Sequence, residues 1–397
     1  MMTSTPSTTI PTTTADLAER DARIMRTRGT MSNHNLDALL VAGKGHWWTG
    51  RGYLRYFTDF HLWGHDGLYL LPLNGEPALT LSSPAVASRI AAKGWVTDTR
   101  GDVYLVPRMV DAIKERGLAS ANIGIAGMRF ILSAGSYAEL QRLLPDATFS
   151  DADELLDRIR MVKSPLEIQQ EYELWDVAKK AMTYFQTCLP DAKGMSQLEL
   201  SSEVCKQVWA AGARDILIFI GEAPGVYDPP QNVPLNCEDK VRFHLEICGP
   251  SGHWCEITVN CAFHEPSELE QKIMDDELLA FDEVRKMAKP GAHVSDLAAT
   301  FNRVLEQQGW NLGEPTTHFH FHGQGMDAIE RPWFAQQEPW GQSQNWELEA
   351  GTVLSYHPRR NVLPAGTWGT GLNEDILITN QGAVRLSKDW NQRWRMM

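Results

Sequence analysis

The sequence predicts an α/β N-terminal domain followed by an α+β C-terminal domain. Three observations carry that expectation. At 397 residues the chain is longer than one compact core of ordinary size, so two domains are expected. From about residue 15 to residue 155, strand-like and helical runs alternate, the pattern of a sheet covered by helices. Beyond about residue 158, long helical runs interleave with paired strands, which suggests a curved antiparallel sheet.

Each element can be justified in order. Residues 1–14 are rich in Ser, Thr and Pro and lack both a basic start and an apolar core. They are expected to form a disordered leader, not a signal peptide. In the first domain, 15–158, residues 16–28 have helical periodicity and are expected to stop at Gly29. Residues 36–41 form a mostly buried strand ended by Gly43-Lys44-Gly45. Further strands are expected at 68–71, 78–81 and 123–126, with helices at 110–116 and 136–144. Ser164 before Pro165 then caps a long amphipathic helix. The second domain, 159–397, adds helices at 196–211, 266–287 and 294–308. Its strands are expected at 216–220, 241–247, 256–263, 352–356 and 376–379.

Composition narrows the function. With 43% hydrophobic and 22% charged residues the chain is globular. A net charge of -13 argues against nucleic acid and against anionic membranes as partners. No apolar run reaches the ~18 residues needed to span a bilayer. The six cysteines lie between residues 188 and 261 without a CxxC pair, so reduced thiols of a cytoplasmic protein are expected. Cys248, Cys255 and Cys261 flank the residues discussed next, and a thiolate role is the alternative.

His244 and Glu246 are two apart, so a strand puts them on one face. Glu256 can join them across a hairpin at Gly249-Pro250-Ser251-Gly252. An extended Thr317-His318-Phe319-His320-Phe321-His322-Gly323 likewise places its three imidazoles on one side. Of these, His322 is the expected ligand, His318 a catalytic imidazole and His320 a substrate contact. His357 ends a further apolar strand. Charge on apolar strands is costly unless paired or metal-bound, and imidazole with carboxylate suits one divalent transition metal, Fe, Zn or Mn. Core histidines with ordinary hydrogen bonds and surface carboxylates are the plainer reading of the same residues. Asp327 and Glu330 are candidate general bases if apolar neighbours raise their pKa; the alternative is an Asp–Arg or Glu–Arg pair in a solvated loop. Among fourteen tryptophans, most are expected to pack in the core or on the surface, and Trp333 and Trp368 are candidate walls for an aromatic, methylated or cationic small molecule. Arg359, with Arg360, could hold a substrate carboxylate, or both are surface charges.

These segments together resemble the pita-bread metallopeptidases and their relatives: aminopeptidase P, methionine aminopeptidase, prolidase, creatinase and a dimethylsulfoniopropionate lyase. Arg160-Met161-Val162-Lys163-Ser164-Pro165-Leu166-Glu167 looks like the family's interdomain segment. Lys289-Pro290-Gly291-Ala292, Leu348-Glu349-Ala350-Gly351-Thr352-Val353-Leu354-Ser355 and Asn373-Glu374-Asp375-Ile376-Leu377-Ile378-Thr379 look like three of its later motifs. The resemblance implies a creatinase-like N-terminal domain, a pita-bread C-terminal domain, a homodimer and a small-molecule substrate; it also implies that the first domain of one subunit reaches the partner's pocket, where Trp63, with His61 and His65, would close on the substrate. The peptidases hold two metals with two aspartates, a histidine and two glutamates. Carried over, His244 or Glu246 stands at the first aspartate and Glu256 at the second. His322 keeps the histidine and His357 replaces the first glutamate. Asn373 falls on the second glutamate in an ungapped reading, and Glu374 takes it after a one-residue shift. Ile329 stands where a second, catalytic histidine is usual, and Tyr227 lies near the place of another. Fewer carboxylates imply one metal, because two close divalent ions need that charge. The implied function is a small-molecule hydrolase or lyase with an altered, mononuclear metal site. The alternatives are a metal-independent creatinase-type C–N hydrolase, an Xaa-Pro peptidase and a non-catalytic binding protein.

Overall fold

A computed structural model of the chain describes residues 14–45, 49–313, 319–335, 344–357 and 363–397. The chain divides into two units, Met1–Ile159 and Arg160–Met397. In the first, the chain order is α1 (Thr14–Asn33), β1 (Ala38–Lys44), α2 (Arg51–Thr58), β2 (Asp66–Pro72), β3 (Ala78–Leu81), α3 (Pro84–Ala91), β4 (Asp98–Gly101), α4 (Leu105–Glu115), β5 (Asn122–Ala126), α5 (Ala134–Leu143), β6 (Thr148–Asp151) and α6 (Asp153–Met161). The strands make one six-stranded mixed sheet in the order β4-β3-β2-β1-β5-β6. Its central strand β1 is antiparallel to β2 and parallel to β5. Leu39, Leu40 and Val41 are buried in succession, as a strand covered on both faces requires.

One expectation fails here. Helix α1 runs through Gly29 to Asn33. Arg23, Thr27 and Met31 recur every four residues and are all buried, so the packed face continues past the glycine. Keeping Met31 in the core outweighs the ~1 kcal/mol that a mid-helix glycine costs. The chain leaves the helix only near Asn35, at φ 53°.

The second unit runs α7 (Pro165–Cys188), α8 (Gln197–Ala210), β7 (Asp215–Gly221), β8 (Lys240–Cys248), β9 (Trp254–Ala262), α9 (Glu268–Met287), α10 (Val294–Gln307), β10 (Phe319–Gly323), β11 (Glu330–Ala335), β12 (Val353–Tyr356), β13 (Glu374–Thr379), β14 (Gly382–Arg385) and β15 (Arg395–Met396). Helix α7 opens with a reciprocal cap: Glu167 N donates to Ser164 Oγ at 3.1 Å, and Ser164 N donates to Glu167 Oε2 at 2.9 Å. Two sheets form, β15-β9-β8-β7 and β11-β10-β12-β13-β14.

Strand alternation decides what lies between them. On β8 and β9, Phe243, Leu245, Ile257 and Val259 join the core that contains Trp175, Phe185 and Leu200 of α7 and α8. The opposite face carries Arg242, His244 and Glu246, paired in register with Asn260, Thr258 and Glu256. In the five-stranded sheet, Phe321, Leu354, Tyr356 and Ile376 pack with Phe281 of α9 and Phe301 of α10. Its other face carries His322 beside Ser355, which in turn pairs with Asp375. Helices thus cover the apolar faces and leave two polar faces to meet.

A buried ion network ties the start of this unit to the loop after His322. Arg160 Nη2 donates to Asp327 Oδ2 at 2.9 Å and also to Glu330, while Lys163 Nζ donates to Glu330 Oε2 at 2.7 Å. All four side chains are buried. This corrects two expectations: Glu330 is not a base of raised pKa, and neither Asp327 nor Glu330 lies in a solvated loop. Burial would lift the Glu330 carboxyl, but the Arg160 and Lys163 cations hold it below its ordinary value. Carboxylates engaged in this way are poor proton acceptors.

Arg160→Met should lower stability by about 3–5 kcal/mol, because it strands buried carboxylates. The depressed Glu330 contributes stability that is fully present above its unfolded pKa of roughly 4.3 and is lost as pH falls through the folded value. Guanidinium denaturation from neutral to acidic pH should therefore show a shallower acid limb in the variant. Equal midpoints and equal acid limbs would remove the network from the stability of the fold.

Candidate metal centre

The β8–β9 register sets Glu246 opposite Glu256 and His244 opposite Thr258. Strand pairing in the facing sheet brings His322 up beside Ser355, and His357 follows β12 directly. Glu256 is the meeting point. Its Oε1 lies 3.0 Å from His322 Nε2, and its Oε2 lies 3.1 Å from His357 Nε2 and 3.9 Å from His244 Nε2. His244 Nε2 is also 3.2 Å from Glu246 Oε1. The potential ligand atoms of Glu256, His322 and His357 lie within 4.8 Å of one another, and so do those of His244, Glu246 and Glu256.

The far nitrogens of two of these rings are held. His322 Nδ1 is 2.9 Å from Gly323 O and His244 Nδ1 is 2.9 Å from Thr258 Oγ1. A carbonyl can only accept, so His322 Nδ1 carries the proton and a neutral ring turns the Nε2 lone pair inward. His357 Nε2 sits 3.0 Å from that same Nε2. With both rings neutral and Nε2 unprotonated, two imidazole nitrogens beside a carboxylate are a donor set that fits a divalent transition metal.

The ionisation of the cluster follows from burial and neighbours. Burial would raise the Glu256 carboxyl, yet His357 and His322 hold it well below its ordinary value. Burial would lower His322, but Glu256 raises it above an ordinary imidazole. At His357 burial prevails over the same carboxylate, and its value falls. The Asp375 carboxyl is driven well above its usual range by burial and then by Glu256.

Five of the seven expected ligands, His244, Glu246, Glu256, His322 and His357, are thus brought together. Glu374 is not among them. It lies on the other face of β13, where Arg285 Nη1 approaches its Oε2 at 3.1 Å and Arg385 also pairs with it. The one-residue shift that would make it a ligand is corrected by alternation: Ile376 and Ile378, on the Glu374 side, belong to the α9–α10 core. Asp375 takes the inward position. Its Oδ2 accepts from Trp175 Nε1 at 3.1 Å and from Glu256 N at 3.4 Å. Asp375 is an additional inward residue whose signal is the strand period: an aspartate one step from an alternating Ile376–Ile378 pair belongs on the opposite face.

Asn373 lines a cavity of about 430 Å³ with His357, Tyr227 and Arg242. Tyr227 stacks on Phe219 at 5.0 Å and lies 5.5 Å from the His244 ring. Burial first, then Glu246, push its phenol well above its ordinary value, so it stays a neutral donor. Trp368 is buried, with Nε1 donating to Asp239 at 3.3 Å and Arg242 lying 5.6 Å from its ring. Trp333 pairs with His322 across β10 and β11, under the Arg331 guanidinium at 4.6 Å. Trp63 belongs to the first unit and is 72% exposed. His318, the His320 side chain, Arg359 and Arg360 lie outside the described residues. A thiolate role is corrected: burial lifts Cys255 well above its usual value and Cys261 to about 12.

Residues 173–380 match metallopeptidase family M24, and residues 23–162 match the creatinase/prolidase N-terminal domain. An ectoine hydrolase of Halomonas elongata is 23% identical over 93% of this chain and 95% of its own length. An Xaa-Pro dipeptidase of Pyrococcus horikoshii is 23% identical over 66% of this chain and 72% of its own. The solved structure of a dipeptidase from Pyrococcus horikoshii OT3 superposes with a TM-score of 0.74 at 19% identity, covering 94% of this chain and all of that one. That likeness establishes the pita-bread fold. No described helix is long and apolar enough to cross a membrane.

Glu374→Gln should destabilise the protein by about 1–3 kcal/mol by removing the buried carboxyl that two half-buried arginines share, while leaving divalent-ion affinity unchanged. Glu256→Gln should weaken that affinity by about tenfold or more. Calorimetric titration with Zn²⁺ or Mn²⁺ reads both, and an affinity loss confined to Glu374→Gln would reverse the assignment.

Proposed function

This chain belongs to metallopeptidase family M24, and from that premise we propose that it hydrolyses a C–N bond of a small molecule at a single-metal centre. His322, His357 and Glu256 hold the ion, with His244 and Glu246 beside them. The observation that carries the reading is the convergence of three imidazole Nε2 atoms on the Glu256 carboxylate, at 3.0, 3.1 and 3.9 Å. One ion suits this set better than two. Its donors are three imidazoles and only two carboxylates, Glu246 and Glu256. Two divalent ions about 3.5–4 Å apart would face too little negative charge. An Xaa-Pro dipeptidase and an ectoine hydrolase among the relatives favour hydrolysis over elimination.

A bound divalent ion would supply Lewis-acid polarisation and a more acidic water. The chain's own groups do the rest. Gly323 O and Thr258 Oγ1 fix the orientation of the His322 and His244 rings. Glu246, with a side chain 15% exposed against 3% for Glu256, is the more open carboxylate and takes the proton from the attacking water. Tyr227 keeps its proton and donates a hydrogen bond to the substrate oxygen.

Protein purified without a histidine tag should contain close to one divalent ion per chain, and a chelator should abolish turnover of a panel of small amides, Xaa-Pro dipeptides and cyclic amidines. Turnover surviving at on the order of 0.2 ion per chain would sink the single-metal reading. Glu246→Gln should retain the ion and lose about 10²- to 10⁴-fold in kcat, as removal of a general base does. A kcat within threefold or so of the parent would take that role from Glu246.

A further inference from the structure

We propose that Glu171, Asp375 and Gln324 form a buried site for an alkali cation, Na⁺ or K⁺, beneath the Glu256 cluster. The site takes none of the residues assigned to hydrolysis.

Unpaired oxygens are the first observation. All three side chains have no exposure. Neither oxygen of Glu171, neither polar atom of Gln324 and not Asp375 Oδ1 has a hydrogen-bond partner among the described residues. A carboxylate left in that state keeps the full cost of its lost hydration. Lys163 is the cation that acts most on Glu171, but it is engaged elsewhere. Its Nζ donates to Arg160 O at 2.6 Å and to Glu330 Oε2 at 2.7 Å.

Helix period and strand register bring the three residues to one place. On α7, Glu171 stands one turn before Trp175, whose Nε1 donates to Asp375 Oδ2 at 3.1 Å. After burial, Asp375 is the group that acts most strongly on the Glu171 carboxyl. Gln324 arrives from β10. Its N donates to Val353 O at 3.1 Å, two steps on from the pairing of His322 with Ser355. Alternation therefore returns Gln324 to the face that carries Val353, Ser355 and Asp375. Val353 and Leu377 on that face pack in one core with Leu174 and Trp175 of α7. Trp254 N donates to Gly325 O at 2.7 Å, which holds the backbone just beyond Gln324.

The donor set is oxygen only, two carboxylates and an amide carbonyl, and oxygen donors suit hard cations. Stripping water from an ion costs more as the square of its charge. Ca²⁺ takes about six to eight oxygens, and Mg²⁺ gives up its waters reluctantly. A dry site with three oxygen-bearing side chains therefore favours a single charge.

Thermal unfolding of the full-length protein in chelator tests this, at one ionic strength set with NaCl, KCl or tetramethylammonium chloride. Na⁺ or K⁺ should raise the midpoint saturably, by roughly 3–6 °C over tetramethylammonium, which is too large to enter. Glu171→Gln keeps the shape and removes a charge, so its midpoint should be equal in all three salts. Gln324→Leu should raise the half-saturating concentration by about tenfold. Crystals of the parent protein grown with Tl⁺ should show one anomalous peak between Glu171, Asp375 and Gln324, a readout that does not depend on any variant folding. Equal midpoints of the parent in all three salts, an alkali-ion effect that survives Glu171→Gln, or a peak located elsewhere would each overturn the site. The chelator keeps divalent ions off the ligand cluster throughout, so failure here leaves the hydrolase reading standing.

Discussion

Glu256 is the group on which the second unit is organised. Its carboxylate is buried between two sheets, where an isolated anion would pay several kcal/mol for lost hydration. It persists as an anion because His322, His357 and His244 turn their Nε2 atoms toward it. Those rings come from both sheets, so the requirement to pair one carboxylate fixes how the polar faces meet. The apolar faces follow: with the polar sides turned inward, Phe243 and Leu245 must be covered by α7 and α8, and Phe321 and Tyr356 by α9 and α10.

The same constraint sorts the other buried acids. Glu171 on α7 has no exposure, and burial together with Asp375 pushes it well above an ordinary carboxyl. Asp375 is shifted upward too, with the indole of Trp175 on its Oδ2. Glu330, equally buried, goes the other way because Arg160 and Lys163 reach it. Placement beside a cation or an imidazole, not depth, decides which of these carboxyls stays charged.

Much of this was legible in the sequence wherever alternation was the governing physics. A period of two put His244 with Glu246 and set Glu256 across a hairpin, and the register is the one that pattern demands. Legibility stopped where long-range pairing decides. Nothing near Asp327 or Glu330 announces Arg160, which is 167 residues away in the chain from Asp327. Gly29 looked like a helix end because local propensity cannot see that Met31 is needed in the core. At residues 373–375 the motif points to Asn373 or Glu374, whereas the strand period identifies Asp375 as the inward carboxyl.

The exchange of ligands also changes what the surrounding cavity can do. In a dinuclear peptidase site the position of Asn373 would be filled by a metal-bound carboxylate and closed to substrate. Here an uncharged amide stands there with both polar atoms unpaired among the described residues. The strand period that turns Asp375 inward also leaves this amide facing the same cavity as His357.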